Sequence, residues 1–232
     1  MISFGNKNDF CIDYIGFLDN YKDDPVVLAH PEDFIFGGCI FFWVNGKNLF
    51  EFKDCEPNTT YGFWDLTILT DFFCNNLLYH ITDDPFPAKT VSSNAWDMFE
   101  EYKLVEGEDN DIEKYLEVNW DNVDTELHSK IDAWNNRHGF IANRGGSFLP
   151  DAFIRKVNDK VEISWRNNFS YKNENGQLYF KHDKGVEYID IKTYREVVTK
   201  FCLEYISRIK EKCPDLVEKY MKNLQKVQEV IL

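Results

Sequence analysis

Two runs of strand-forming residues, Ala152–Val157 and Lys160–Trp165, meet at Asn158-Asp159. A connection that short and polar joins such runs as an antiparallel hairpin. Val161, Ile163 and Trp165 alternate with Lys160, Glu162 and Ser164, so the pattern predicts one buried face and one polar face. A second hairpin signal is Asn45-Gly46, set between the apolar runs Phe34–Val44 and Leu49–Phe52. Both turn residues tolerate positive φ. A third strand pair reads as Leu178–Lys181 and Val186–Ile189, turning across His182–Gly185. The first 33 residues show no regular period, and Asp23-Asp24-Pro25 and His30-Pro31 mark turns there.

Elsewhere the period is helical. Ile68/Leu69, Phe72/Phe73 and Leu77/Leu78 recur at three-to-four spacing over 64–81, and Asp83-Asp84-Pro85 ends the run. A second helix is predicted over Ser93–Val105, capped by Ser93 or Asn94, and a third around Ile112–Trp134. Asp190 is a candidate cap for a helix whose buried stripe is Tyr194, Val197, Val198, Phe201 and Tyr205. Pro214 opens a last amphipathic helix lined by Leu216, Val217, Tyr220, Met221, Leu224, Val227 and Ile231. That helix is expected to cover its own sheet, with partner docking as the alternative. Antiparallel hairpins packed with helices, and a helical C-terminus, predict an α+β fold. The 232 residues suit one domain, 1–232, which divides by charge into an acidic part, 1–130, and a part, 131–232, holding the strand hairpins and the C-terminal helices.

The charge is uneven. Residues 1–130 hold 26 acids and 8 bases, a net of −18, and residues 131–232 hold 14 acids and 18 bases, a net of +4, which together give the overall −14. Asp97–Glu126 contains twelve acids against Lys103 and Lys114. Such a surface repels nucleic-acid phosphates and anionic lipid and attracts a basic protein. The stretch Glu106, Glu108, Asp109 and Asp111 is its sharpest part and the candidate partner-binding segment. No stretch has the run of apolar residues that spans a bilayer, and Met1-Ile2-Ser3-Phe4 lacks the basic-then-apolar pattern of a secretory signal, so a cytoplasmic location is expected. The six cysteines contain no Cys-x-x-Cys pair, which favours free thiols over disulfides and gives no metal-ligand spacing. No cofactor is implied.

The most distinctive stretch is Trp134-x-x-Arg137-His138, then Gly145-Gly146, Pro150-Asp151 and Val161-Glu162-Ile163-Ser164-Trp165. It resembles a segment of a group of bacterial proteins in which a Trp/His pair precedes a Gly-Gly-x-x-x-Pro turn and a strand ending in Trp. Some members of that group lie near, or are fused to, stress or phage-response modules of the metallopeptidase-and-repressor type. The resemblance covers about the last hundred residues. It implies a bacterial setting and no particular activity, because the His-Glu-x-x-His helix of the metallopeptidase is absent.

Two kinds of function remain. The first is a non-catalytic interaction module of a bacterial conflict system, an immunity protein against a basic toxin or an accessory of anti-phage defence. The second is a small enzyme or sensor. Pro150-Asp151 followed by Glu162 is the spacing of metal-dependent nucleases, but their lysine is replaced by Ser164. Arg137, His138, Arg144, Gly145 and Gly146 could hold an anion through side chains and loop amides. His138 is the best single candidate for acid–base chemistry, although a structural role at a helix end is the stronger expectation. His138, Asp151 and Glu162 are thus the catalytic candidates, and the sequence leans toward no enzyme.

Overall fold

The computed structural model describes residues 1–20, 23–25, 29, 36–53, 64–106, 124–140, 150–167, 170–173 and 176–229. Strands β1 (Ile2–Gly5) and β2 (Phe10–Gly16) form an antiparallel hairpin and lead into a single helical turn, α1 (Phe17–Asn20). Strand β3 (Gly37–Val44) pairs with β2, with β4 (Lys47–Asn48) and, at its start, with β5 (Trp64–Asp65). Asn45 and Gly46 take φ of 47° and 78°, so the β3–β4 turn uses the two left-handed residues that its sequence offers.

Helix α2 (Leu66–Ile81) follows, then α3 (Ala95–Glu106) and α4 (Thr125–His138). A second antiparallel sheet is built from β6 (Gly139–Phe140), β7 (Ala152–Val157) and β8 (Lys160–Arg166). Next come a separate two-stranded ladder, β9 (Ser170–Asn173) with β10 (Gly176–Tyr179), and then β11 (Lys184–Asp190), which pairs with β8. The chain closes with α5 (Ile191–Ile209) and α6 (Pro214–Glu229). The architecture is α+β, and the C-terminus is helical.

One buried cluster joins both sheets. Phe10, Ile12, Tyr14, Ile40 and Phe42 enter it from the first sheet, and Ile154, Val161, Ile163 and Trp165 from the second. Helix α2 runs between them and contributes Leu66, Leu69, Phe72, Phe73 and Leu77. Helix α5 starts where the carboxylate of Asp190 accepts from the amides of Lys192 and Thr193 at 2.9 and 3.1 Å. Its stripe Tyr194, Val197, Val198, Phe201 and Tyr205 is buried as its period predicts. On α6, Tyr220, Leu224 and Val227 are buried, whereas Met221 is exposed.

Three expectations are corrected. The N-terminal residues are not irregular: β2 alternates Phe10, Ile12 and Tyr14 into the core. Val186–Ile189 does not pair with Leu178–Lys181, since β11 lies along β8 with Glu187 opposite Ile163, and β10 pairs with β9. The polar face of β8 is not open to solvent. Val161, Glu162, Ile163, Ser164 and Trp165 are all buried, because α3 covers the side of β8 opposite the main core. The expected helix over 112–134 is described from Thr125 onward, and its earlier part, like the acidic loop 107–111, lies outside the described residues.

A second, smaller cluster fastens those two helices. Ala95, Trp96, Phe99 and Tyr102 of α3 and Ile131 and Trp134 of α4 close around Phe153 of β7. The Trp134 and Phe153 rings stack at 5.5 Å, and Phe99 and Trp96 lie 5.0 and 5.3 Å from the same phenyl. Phe153→Ala removes the centre of this cluster. It is expected to cost about 3–5 kcal/mol, measured as a lower urea midpoint, with the loss of α3 and α4 packing visible in tryptophan fluorescence.

Candidate functional site

The chemistry-bearing residues of the second sheet gather at two junctions, one at the start of α3 and one at the end of α4. At the first, Glu162 is fully buried on β8. Its Oε1 accepts from the Ala95 amide at 2.6 Å, and its Oε2 accepts from Arg155 Nη2 at 2.9 Å and Nε at 3.3 Å. Two residues along the same face, Ser164 Oγ accepts from the Trp96 amide at 3.2 Å. The first amides of α3 therefore find their acceptors on a neighbouring strand. Asn94 adds a local cap through its side-chain oxygen to the Asp97 amide at 2.9 Å. Arg155 continues the network, donating from Nη2 to the Ser93 carbonyl at 2.7 Å.

The second junction lies where α4 ends. His138 is buried, stacked on Trp134 at 4.5 Å, with Nδ1 2.7 Å from the Ile154 carbonyl and Nε2 2.9 Å from Asp84 Oδ2. Arg137 grips the same carboxylate through Nε at 2.7 Å and Nη2 at 3.2 Å, and the Trp134 indole donates to the Asp84 carbonyl at 3.1 Å. Burial pushes the Asp84 carboxyl up, but Arg137 and His138 outweigh it and hold the group below the ordinary carboxylate range. Burial pushes the His138 imidazole toward its neutral form and outweighs Asp84 and the Ile154 carbonyl, which pull the other way, so the group stands below its ordinary value. Behind this ring, His80 bridges the Tyr194 hydroxyl and the Arg137 carbonyl, each at 2.9 Å, and burial brings it down to about 3.

A second fully buried carboxylate, Asp13, sits on β2. It accepts from Cys11 Sγ and Trp43 Nε1 at 3.1 Å each and pairs with Lys7 Nζ at 2.8 Å. Burial, and then Asp13, push the Cys11 thiol up to about 12, which disfavours the thiolate that a nucleophile needs.

The register separates the two carboxylates of the nuclease-like reading. Glu162 stands opposite Arg155 near the closed end of the hairpin, and Asp151 precedes Ala152 at its open end. Four strand residues of offset are about 13 Å, too far for both to ligate one ion whose ligands stand within roughly 2–2.6 Å. The Asp151 amide instead donates to Asn167 Oδ1 at 2.8 Å. Among the described residues no group of three or more His, Cys, Asp or Glu could hold a metal ion. Of the candidate anion ligands, Arg137 and His138 are both engaged by Asp84, and Arg144, Gly145 and Gly146 lie outside the described residues. So do Glu108, Asp109 and Asp111, while Glu106 is the last residue of α3. Cys11, Cys39, Cys74, Cys202 and Cys213 are free thiols, and no helix among the described residues is long and apolar enough to cross a membrane.

Sequence reasoning passed over Asp84, His80, Tyr194 and Asp13. Asp84 looked like turn punctuation beside Pro85, and only its partners, 53 and 54 positions away, give it a role. No family model, no curated protein and no solved structure matches this chain.

Glu162→Ala strands Arg155 and the Ala95 amide in a buried site and is expected to cost about 3–5 kcal/mol in chemical denaturation. Glu162→Gln keeps an acceptor for Ala95 and is expected to cost less. For Asp84 the lowered folded value fixes the sign. Its contribution is complete above the unfolded carboxyl value, about 3.9, and is lost as pH falls through the folded value. Asp84→Asn should therefore flatten the acid limb of the melting-temperature profile, and an unchanged limb would show that the pair carries no acid sensitivity.

Proposed function

We propose that this chain is a non-catalytic binding protein that presents an acidic surface to a basic protein partner. Its setting is a bacterial conflict system, with a role in toxin immunity or as an accessory of anti-phage defence. The observation that carries the reading is how the acidic block is mounted. Asp97 lies in the first turn of α3, Glu106 ends that helix, and Asp124 caps α4 by accepting from the amides of Glu126 and Leu127 at 3.1 and 3.0 Å. The segment 107–123 thus leaves one helix and enters another, and both are clamped to the second sheet through Phe153, Glu162 and His138.

On the described part of this unit, Asp124, Glu126 and Asp132 are exposed on α4. Negative charge held on a rigid platform speeds capture of a positive partner and makes that capture sensitive to salt. The catalytic candidates support the same reading from the other side. Glu162 is consumed in holding α3, and His138 in holding the end of α4. The bacterial setting rests on the Trp134–Trp165 resemblance alone.

The test is an affinity capture of the tagged protein from its host, washed at low and then high salt, beside a variant carrying Glu106→Gln, Glu108→Gln, Asp109→Asn and Asp111→Asn. A stoichiometric basic protein that binds wild type, is released by salt and binds the variant at least tenfold more weakly is the expected result. Equal binding by both proteins would remove the acidic segment from the interface. A melting temperature raised by magnesium or manganese would instead favour the metal-dependent enzyme.

A further inference from the structure

The polar groups joining α2, α4 and β7 hold an excess of acceptors that fixes a proton. The His80 ring sets the contrast. Its Nε2 faces the Arg137 carbonyl, which can only accept, so Nε2 carries the hydrogen and the Tyr194 hydroxyl donates to Nδ1. His80 is therefore satisfied as a neutral ring.

His138 cannot be satisfied that way. Nδ1 faces the Ile154 carbonyl at 2.7 Å, and Nε2 faces Asp84 Oδ2 at 2.9 Å. Both are acceptors, and a neutral imidazole has one donor. Either neutral tautomer sets a ring lone pair against an oxygen lone pair at a fully buried imidazole, where an unmade hydrogen bond is costly. Moving the proton to Asp84 does not repair this, because both of its oxygens accept from Arg137, a grip suited to the ionised carboxylate. We infer that His138 is held as an imidazolium between Asp84 and the Ile154 carbonyl, so that the junction of α2, α4 and β7 is a proton-dependent lock.

The surrounding groups are consistent with one buried positive charge beside an ion pair. Asp84 faces the ring from the segment after α2, and Arg137 from α4 itself. His80 of α2 lies 5.9 Å away between ring centres and is neutral, with Tyr194 of α5 behind it. The Lys156–Asp83 pair, 3.0 Å apart, flanks the site from β7. Trp134 stacks on the ring and offers its π face to a cation. Burial, with Arg137, outweighs Asp84 and the Ile154 carbonyl and by itself holds the ring below its ordinary value, and it is the two acceptors, one facing each ring nitrogen, that call for a proton on both. A ring held charged in the folded state contributes fully below its unfolded value, about 6.5, and that contribution is lost as pH rises through the folded value.

The test reads the proton directly. Full-length protein labelled with ring-15N histidine is followed by two-bond 1H–15N correlation from pH 5 to pH 9.5. His138 is assigned by its contacts to the Trp134 indole. At pH 7.5 an ordinary histidine is about nine-tenths neutral. The expected result is both His138 nitrogens protonated at that pH, with the melting temperature falling as the ring later titrates. A His138 with one bare nitrogen at pH 7.5 would overturn the inference. So would a ring that loses its proton at high pH with no fall in the melting temperature.

Discussion

A carboxylate fully buried on a strand covered from both sides constrains everything around it. Glu162 on β8 needs donors there, and it finds them in Arg155 on the adjacent strand and in the first amide of α3. The same contacts answer the helix's need, since its leading amides have no partners within the helix. Strand and helix thus complete each other, and the position of α3 follows from a charge on β8. With α3 in place, Phe153 acquires the neighbours that make the second cluster, and Trp134 brings α4 into it.

The end of α4 repeats the logic with different groups. Asp84, at the exit of α2, takes Arg137 and His138 from the last turn of α4, and His138 reaches on to a β7 carbonyl. Cations near a helix C-terminus are favoured there by the backbone dipoles as well. Helices α3 and α4 are therefore fixed to the sheet at the start of one and at the end of the other. On the proposed binding role, such mounting would lessen the ordering entropy lost on capture.

Local periodicity was readable wherever one face meets one core. The stripe of α5, the Asp190 cap and the turns at Asn45-Gly46 and Asn158-Asp159 all follow from residues close in sequence. The failures share a cause. The alternation on β8 implies an exposed polar face, and only α3, nearly seventy residues earlier, buries it. Strand β2 carries apolar Cys11 and Ile15 on the face opposite Phe10, Ile12 and Tyr14, which blurs its alternation, and Asp13 on that same face is paired only through Lys7 and Trp43. The pairing of β11 with β8 steps over the β9–β10 ladder, so nearest-neighbour reasoning paired the wrong strands. Trp134 and His138 stood out as a motif, but their shared partner, Asp84, did not.

Hydrogen exchange at individual amides tests most directly whether Glu162 holds the acidic helices to the sheet. In Glu162→Ala under native conditions, amides in α3 and then α4 should exchange much faster than in wild type, while β2, β3 and α5 keep most of their protection. If α3 amides exchange no faster relative to those of α5 than they do in wild type, Glu162 is not the anchor of that unit, and the mounting described above is wrong.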